Sequence, residues 1–547
     1  MARLEWDNPA QTPPRAQVVA GRSGTGVNPD LASLEWTADR AVSRERHLRL
    51  DAITDPHHWS YKVAGALVLA CLLAFLTVAV YDSGNVFWVT QVLGLYLLFR
   101  FLLVVAFYPV GQWRIRRLQR LPAQSRAEAL AIPKGLTAPV HHVVILANYK
   151  EPEEVVARTL ERLSEQPNAI DTLTVVMAME EAEPDSRAKG ERLKAQYGAG
   201  FAHMLVTVHP AGLQGEAPGK ASNQTWAARI ARDYLVGQVG IPLDSLTVTS
   251  CDADSLIHVG YFAELTRQFA ADERRHERIW QAPFRFNNNI WRSPAPIRLL
   301  GFLNNLVQVS ELANPLAVNL PLSTYTLSYR LAEEIGYWDE MVIAEDWHIF
   351  LRALFGSGGR VTLEPVFLPT SGDSVAGANI WQAFKIFYRQ RLRHAWGATD
   401  IGYMFQQWRL WPDVPFWPKA IYLVKVLHDH IVFTVAGLLL GIGSIIMVLQ
   451  NGLLAIAAPI PGFYTVTLQS GNLLSAGGTL AAWLYEHLTS RRTSPGWRPA
   501  RLAFELLTWP LLAPATLFLV IAPTFEAQFR QMFGGDMIFW RTPKRAR

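Results

Sequence analysis

The sequence contains little cysteine and few charged residues. Only two of its 547 residues are cysteines and only 18% are charged, against roughly 25% in typical soluble domains. Cys71 lies inside an apolar run and Cys251 lies beside acidic residues, so we expect neither a disulfide framework nor a cysteine metal site. Met1 is not followed by an apolar core, which argues against a cleavable signal peptide.

Apolar residues are abundant instead. Half of the chain is hydrophobic and its mean hydropathy is +0.11, which predicts a soluble domain joined to a membrane part. The net charge is +5, and the basic residues cluster beside apolar runs. This arrangement is typical of membrane-flanking charge, so we expect membrane lipids, and no nucleic acid, among the partners.

Two apolar runs lie near the N-terminus. Residues 1–60 are rich in Pro, Gly and Arg and predict a flexible cytoplasmic tail. Residues 61–112 contain the runs Val63–Tyr81 and Val86–Val110, each about 20 residues long, as a transmembrane helix requires. Basic residues flank the pair on both sides, and the link between the runs has none. The positive-inside rule therefore places both flanks, and the domain that follows, in the cytoplasm.

Residues 134–400 predict a soluble α/β domain. Short β-rich runs alternate with helical patterns, which indicates a mostly parallel sheet covered by helices. The strand candidates are Val143–Ala147, Leu173–Met179, Met204–Val208, Leu246–Ser250, Ile279–Pro283 and Ser323–Ser328, and the helix candidates are Glu153–Glu165, Ser186–Tyr197, Lys220–Tyr234, Val259–Phe269 and Pro296–Leu312. Ligands of such sheets bind at the carboxyl ends of the strands.

The C-terminal part is apolar again. Aromatic residues in 401–430 suit helices at the membrane interface, and Ile431–Leu449 and about Val466–Tyr485 predict crossings. The last apolar run, Leu502–Ile521, is interrupted by prolines. We expect a broken, re-entrant hairpin there, because a single crossing would put the basic tail at 531–547 outside, against the charge rule.

The strongest candidate site is an acidic motif after a strand. Asp252 and Asp254 stand two residues apart, directly after the β-like run Leu246–Thr249. Carboxylates so placed can hold a hard divalent cation, Mg²⁺ or Mn²⁺, that neutralises charge on a leaving nucleoside diphosphate. The alternative is a solvated loop in which Asp caps a helix, which is the commoner role of so short a motif.

Two further motifs lie downstream. Asp346, after Glu345, opens a helix, where a carboxylate is usually a plain cap but can also act as a general base toward an acceptor hydroxyl. In the segment 390–396, Arg393 suits diphosphate oxygens and Trp396 suits a sugar ring. The alternative for this segment is a basic interfacial helix that contacts lipid headgroups.

Two upstream motifs suit a nucleotide. Tyr149 and Glu151 follow the first strand, where α/β sheets bind nucleosides, although an ordinary turn has the same composition. Lys220 opens a helix, and its ammonium and the first amides suit an anion. There is no phosphate-loop pattern in the sequence, so nucleoside triphosphatase chemistry has no support.

In this order, and between membrane segments, the five motifs resemble the family 2 glycosyltransferases. The nearest likeness is to membrane-embedded members such as cellulose, hyaluronan and chitin synthases and ceramide glucosyltransferase, over roughly residues 140–400. The resemblance implies a GT-A-type, Rossmann-like α/β domain inserted between transmembrane helices, with the C-terminal membrane region at 431–530.

The resemblance also implies roles for single residues. The residues placed at the nucleotide sugar are Tyr149, Glu151, Glu180, Lys220, Asn223, Asp252, Gln390 and Arg393, and those placed at the metal are Asp254 and Asp252. The implied catalytic base is Asp346 with Glu345, and the implied acceptor residues are Trp347, His394 and Trp396. Thr542 and Lys544 fall in a gating loop like that of cellulose synthase. Two positions depart from the family pattern. Glu180 stands where Asp is usual, and His394 replaces a Trp that normally helps to bind the acceptor, which weakens the case for processive synthesis.

We therefore expect an inverting glycosyltransferase that uses a nucleoside-diphosphate sugar, a UDP-sugar in particular, at the cytoplasmic face of the plasma (inner) membrane. The acceptor remains open between a growing polysaccharide, which the gating motif favours, and a lipid, which His394 and the small number of crossings favour. A transporter or a non-catalytic scaffold is the alternative from another class. Apolar runs without charged residues argue against the transporter.

Overall fold

The computed structural model describes residues 50–51, 58–81, 83–120, 132–451, 462–489 and 499–535. The strands are β1 (His141–Ala147), β2 (Leu173–Glu180), β3 (His203–His209), β4 (Leu246–Asp252), β5 (Leu256–Ile257), β6 (Arg278–Gln281), β7 (Phe284–Arg285), β8 (Tyr325–Ser328), β9 (Thr362–Pro365) and β10 (Thr370–Ser371).

The helices surround these strands in sequence. They are α1 (Trp59–Tyr81), α2 (Ser83–Gln119), α3 (Glu153–Ser164), α4 (Ala169–Thr172), α5 (Ser186–Tyr197), α6 (Lys220–Arg232), α7 (Tyr261–Ala271), α8 (Ala295–Ala313), α9 (Tyr329–Glu334), α10 (Glu345–Gly356), α11 (Ile380–Ala395), α12 (Thr399–Leu410), α13 (Phe416–Leu427), α14 (Phe433–Asn451), α15 (Gly462–Thr489), α16 (Pro499–Leu507), α17 (Leu512–Thr516) and α18 (Ala522–Met532).

The main sheet has seven strands in the order β3-β2-β1-β4-β8-β6-β9. All neighbouring pairs are parallel except β8, which runs antiparallel to β4 and β6. The expected α/β class with a mostly parallel sheet is therefore confirmed. A small second sheet, β5-β10-β7, was not expected, because strands of two residues are too short to show a periodic pattern.

The central strand β1 supplies both cores of the domain. Val143 and Ile145 belong to one buried cluster, and Val144 and Leu146 belong to the other. Successive side chains of a strand point to opposite faces, so a strand that is covered by helices on both faces reads as a continuous apolar run. The carboxyl end of β1 is thereby fixed at the middle of the sheet edge.

Four helical stretches among the described residues are long and apolar enough to cross a membrane. They are Trp59–Tyr81, Trp88–Gln119, Phe416–Gly443 and Ala503–Met532. The first two agree with the predicted N-terminal pair. The third starts at Phe416 rather than at Ile431, so it includes part of the region expected to lie at the interface. The helix α15 occupies the segment of the second predicted C-terminal crossing.

The re-entrant hairpin expected near the C-terminus is wrong. Residues 503–532, here called the C-terminal rod, form one helical stretch of 30 residues. Its prolines fall at a 3₁₀ turn and near the starts of α17 and α18, where the missing N–H groups are tolerated, so the chain continues instead of reversing. The rod contacts the α/β domain at both ends: Glu505 pairs with Arg298, and the Gln531 side chain donates to the carbonyl of Trp396. Thr542 and Lys544 lie outside the described residues.

The end of the expected N-terminal tail is part of the core. Leu50 is fully buried in the cluster that contains β1 residues. Its carbonyl accepts a hydrogen bond from the Tyr403 hydroxyl at 2.9 Å, and Asp51 pairs with Arg352 at 2.8 Å. A single apolar residue gives no periodic signal, so the sequence pattern could not predict that Leu50 packs into the core.

The Leu50→Ala variant tests the packing of Leu50 into the core. Removing a buried leucine side chain leaves a cavity and lowers the free energy of unfolding by about 2–5 kcal/mol. We expect a clearly lower midpoint of thermal unfolding in detergent solution. The matched control is Leu316→Ala, because Leu316 is 82% exposed. Equal midpoints for the two variants would show that Leu50 does not complete the core.

Candidate active site

The carboxyl ends of three parallel strands bring the predicted motifs to one edge of the sheet. Ala147 at the end of β1 is in register with Asp252 on β4 and with Ala178 on β2. Tyr149 and Glu180 lie two residues beyond Ala147 and Ala178, respectively. The topology therefore places the nucleotide motif and the acidic motif beside each other.

The side chain of Lys220 lies at the centre of the site. Its ammonium nitrogen is 2.8 Å from Asp252 Oδ1, 2.8 Å from Glu345 Oε1 and 3.8 Å from Asp346 Oδ1. Burial opposes the charged form, but the three carboxylates outweigh it and raise the pKa of Lys220 well above its usual value. Lys220 thus joins the start of α6 to the end of β4 and the start of α10. Glu345 is nearly buried and engaged with this cation.

Only one oxygen of the Asp346 carboxyl group accepts a hydrogen bond from the described residues. Oδ2 accepts a hydrogen bond from the backbone N–H of Ser323 at 2.8 Å, whereas Oδ1 is buried and has no hydrogen-bond partner. Burial, followed by the neighbouring charge of Glu345, raises the pKa of Asp346 to about 8. A carboxylate with a pKa near the working pH suits general-base chemistry.

Ser323 is a site residue that the sequence patterns missed. Its hydroxyl donates to Asp252 Oδ2 at 2.5 Å while its N–H donates to Asp346. Its φ is 58°, a left-handed conformation that a non-glycine residue rarely adopts. This residue therefore connects the two carboxylates directly. No motif surrounds it, so only the strained turn before β8 identifies it.

Asp254 has a different environment from Asp252. Its Oδ2 accepts a hydrogen bond from the backbone N–H of Asp373 at 2.8 Å, and Asp373 pairs with Arg158 at 3.1 Å. Among the described residues, no group of three or more His, Cys, Asp or Glu side chains could hold a metal ion. Two carboxylates nevertheless fit Mg²⁺ or Mn²⁺, because such ions usually take their remaining ligands from substrate phosphates and water.

The structure separates the acidic residues after β2. Glu180 pairs with His209 at 3.3 Å, on the side of β3. Glu183 instead accepts from the backbone N–H of Lys150 at 2.5 Å, and Tyr149 N–H donates to Glu151 at 2.7 Å. Of the glutamates after β2, the one that contacts the turn after β1 is therefore Glu183. The run at 180–183 contains three glutamates, and spacing alone could not identify which one faces β1.

Asn223 lies beneath the end of β2. Its side-chain nitrogen donates to the carbonyl of Ala178 at 2.9 Å, and its Oδ1 is buried without a hydrogen-bond partner. Asn223 thus fixes α6 against the strand end that carries Glu180. The contact of Asn223 is thus with the backbone of β2, and its predicted role at the nucleotide sugar stays a prediction.

The predicted nucleotide-sugar and acceptor residues of the segment 390–396 lie near the start of α10. Gln390, Arg393 and His394 are on the last turns of α11, and Arg393 is 3.4 Å from the His394 ring. In the following turn, a Cβ at Gly397 would lie 3.3 Å from Ala344, the residue before Glu345. The end of α11 and the turn with Trp396 are therefore close to the start of α10. Trp347 packs edge-on against His430, with 5.1 Å between ring centres.

A buried charge network fixes α10 from behind. His348 Nδ1 is 2.7 Å from Asp400, and Nε2 is 3.3 Å from Asp339. Arg352 Nη1 lies 3.1 Å from Asp339 and 2.8 Å from Asp51. All five residues were absent from the predicted site. The network ties α10, whose first turn contains Asp346, to α12 and to the N-terminal segment.

One family model matches part of the chain. Residues 247–489 match the model for Glycosyl transferase family group 2. The match starts in β4 and ends at the C-terminus of α15, so it contains Asp252, Asp254, Asp346 and Arg393. The match confirms the expected family 2 glycosyltransferase with its α/β domain next to apolar helices. No curated protein sequence matches the chain significantly.

Solved glycosyltransferase structures are similar to this chain at low identity. The mannosyltransferase PcManGT from Pyrobaculum calidifontis, in complex with GDP-Man and Mn²⁺, has 15% identity and a TM-score of 0.39, with 78% of this chain and 99% of that chain covered. S. aureus TarS 1–349, in complex with UDP-GlcNAc, has 15% identity and a TM-score of 0.33, with 72% and 93% covered.

The Asp346→Asn variant tests the ionisation of the site. Between the ordinary pKa of 3.8 and about 8, the unfolded chain ionises Asp346 while the folded chain keeps it protonated, so the wild type loses stability as pH rises. Asparagine does not titrate. We expect the thermal midpoint of the variant, relative to wild type, to rise from pH 5 to pH 8.5. The exposed Asp171→Asn change is the control, and a pH-independent difference would contradict the buried carboxyl.

The His348→Ala variant tests the network behind α10. Burial opposes protonation, but Asp400 and Asp339 raise the pKa of His348 to about 9. The stabilisation by the ion pair is complete below pH 6.5 and is lost as pH rises through 9. We expect the variant to lower the thermal midpoint at pH 6.5 and to lower it less above pH 9. Adding Asp400→Asn should restore part of the loss, because it removes an unpaired buried charge.

Proposed function

We propose that this glycosyltransferase of family group 2 transfers a sugar from a nucleoside-diphosphate sugar, a UDP-sugar, to an acceptor hydroxyl with inversion. The active face lies on the cytoplasmic side of the plasma membrane. The observation that carries the proposal is the link through Ser323, which joins Asp252 to Asp346. The carboxyl group of Asp252, on the donor side, and that of Asp346 are thereby held next to each other.

Asp346 is the proposed catalytic base. In its ionised form, Asp346 takes the proton of the acceptor hydroxyl on Oδ1, which accepts no hydrogen bond among the described residues, as the acceptor oxygen attacks the anomeric carbon. The bond from the acceptor oxygen to this carbon forms while the bond from the carbon to the diphosphate oxygen breaks. The nucleoside diphosphate leaves with the bonding electrons. One displacement inverts the anomeric centre.

The donor side of the site carries the proposed nucleotide contacts. Asp252 and Asp254 would hold a divalent cation, and Mg²⁺ or Mn²⁺ there would neutralise charge on the leaving diphosphate. Lys220 already pairs with Asp252, so its ammonium lies where a diphosphate oxygen approaches. Arg393, at the end of α11, provides a second cation for the same group. Tyr149, with Glu151 and Glu183, forms the nucleoside end.

Two classes of acceptor suit the site. A growing polysaccharide is the first, which the gating-loop motif with Thr542 and Lys544 favours. A lipid is the second, because α11 packs along the apolar C-terminal rod, so the acceptor side of the site borders a candidate membrane helix. The mass of the product separates the two acceptors, since a polysaccharide gives a ladder of sugars and a lipid gains one sugar.

Release of nucleoside diphosphate by the detergent-solubilised protein tests the proposal. We expect release from one UDP-sugar in a panel, in the presence of Mn²⁺ or Mg²⁺. Asp346→Asn should lower turnover by about 10²–10⁴-fold, the usual contribution of a general base, and Asp254→Ala should lower the affinity for the cation. Asp171→Asn should keep full activity. Undiminished turnover by Asp346→Asn would exclude Asp346 as the base.

A further inference from the structure

A groove lies between α11 and the C-terminal rod, outside the proposed catalytic contacts. Its volume is 690 Å³, which is within the range of sites for small ligands. The two walls are helical faces, with Trp381, Lys385 and Arg389 spaced one turn apart on α11. Phe518 and Arg530 belong to the opposite wall.

The two walls run in the same direction. Ala383 on α11 and Leu519 on the rod belong to one buried cluster. Further along, the Tyr388 hydroxyl donates to Glu526. Beyond that, the Gln531 side chain donates to the carbonyl of Trp396. Each wall therefore begins at the same end of the groove, and the groove follows both helices toward the candidate active site.

One end of the groove is apolar. Trp381 and Phe384 lie on α11, and Phe518 and Leu519 lie on the rod within a candidate membrane span. Trp381 is 76% exposed and Phe518 is 64% exposed. Large aromatic side chains with this exposure are unfavourable in water but suit the boundary of a bilayer.

The other end of the groove is cationic. Lys385, Arg389 and Arg530 line it, against the single carboxylate of Glu526. Glu526 pairs with Arg530 and accepts from Tyr388, so the carboxylate is already compensated. The lining of this end thus carries three basic side chains and one carboxylate, and this net positive charge complements an anionic group.

We propose that this groove binds an anionic phospholipid of the surrounding membrane. The acyl chains lie on the aromatic end, and the phosphate headgroup lies between Lys385 and Arg389. An apolar end joined to a basic end matches the two halves of such a lipid, and basic pockets between helices are typical lipid sites. This inference does not depend on the sugar, the acceptor or the catalytic step.

The bound lipid stabilises the pair formed by α11 and the rod. Because α11 continues into the turn with Trp396, which contacts the residue before Glu345, the lipid also stabilises the acceptor side of the site. The expected observable is a higher thermal midpoint of the full chain in micelles that contain an acidic lipid.

The test measures the full-length protein in detergent micelles with phosphatidylglycerol or with phosphatidylcholine. We expect phosphatidylglycerol to raise the thermal midpoint more than phosphatidylcholine and to remain bound in native mass spectra. The Lys385→Gln/Arg389→Gln variant should bind phosphatidylglycerol roughly tenfold more weakly. Both side chains are exposed, so the fold should be retained. The matched control removes two charges from α5, as Arg187→Gln/Lys194→Gln.

Two outcomes would overturn the proposal. Equal shifts with both lipids would show that the groove does not select for charge, and that any occupant is a neutral lipid or detergent. An unchanged phosphatidylglycerol effect in Lys385→Gln/Arg389→Gln would place the acidic lipid elsewhere. Loss of the effect in the double variant but not in the α5 control would support the site. None of these readouts requires glycosyl transfer, so failure of the proposed function would leave them interpretable.

Discussion

The ammonium of Lys220 balances carboxylates that come from two distant parts of the chain. Asp252 ends a strand, whereas Glu345 and Asp346 open a helix. Carboxylates brought this close repel one another, and burial removes the water that would screen them. A cation between them allows the strand end and the helix start to pack together. The relative position of Asp346 and Asp252 therefore depends on one side chain of α6.

It was predictable that the motifs meet at one edge of the sheet, because parallel strands place their carboxyl ends there. The positions of Asp252 and Tyr149 follow from that rule, and the run at β1 could be read from its continuous apolar pattern. The same rule does not predict which way a side chain points once the chain has left the strand. Glu183, rather than Glu180, contacts the turn after β1, and this depends on how the chain bends after β2.

Other features depend on contacts between segments that are far apart in sequence. Ser323 joins two carboxylates through a left-handed turn, and no local pattern requires that conformation. The prolines of the C-terminal rod suggested a reversal of the chain, but each one is accommodated at the start of a helical segment. The contacts of the rod with the α/β domain decide its course, and these contacts are not visible in its own sequence.

The burial of Leu50 links membrane insertion to the folding of the domain. Its carbonyl contacts Arg352, 302 residues later in the chain, and the apolar helices α1 and α2 lie between the two. If these helices cross the bilayer, Leu50 reaches the core only when both are inserted, because a single crossing would leave it on the opposite side. The segment that is synthesised first thus packs last. A chain that is inserted with the wrong topology keeps an incomplete core, which quality-control proteases can recognise.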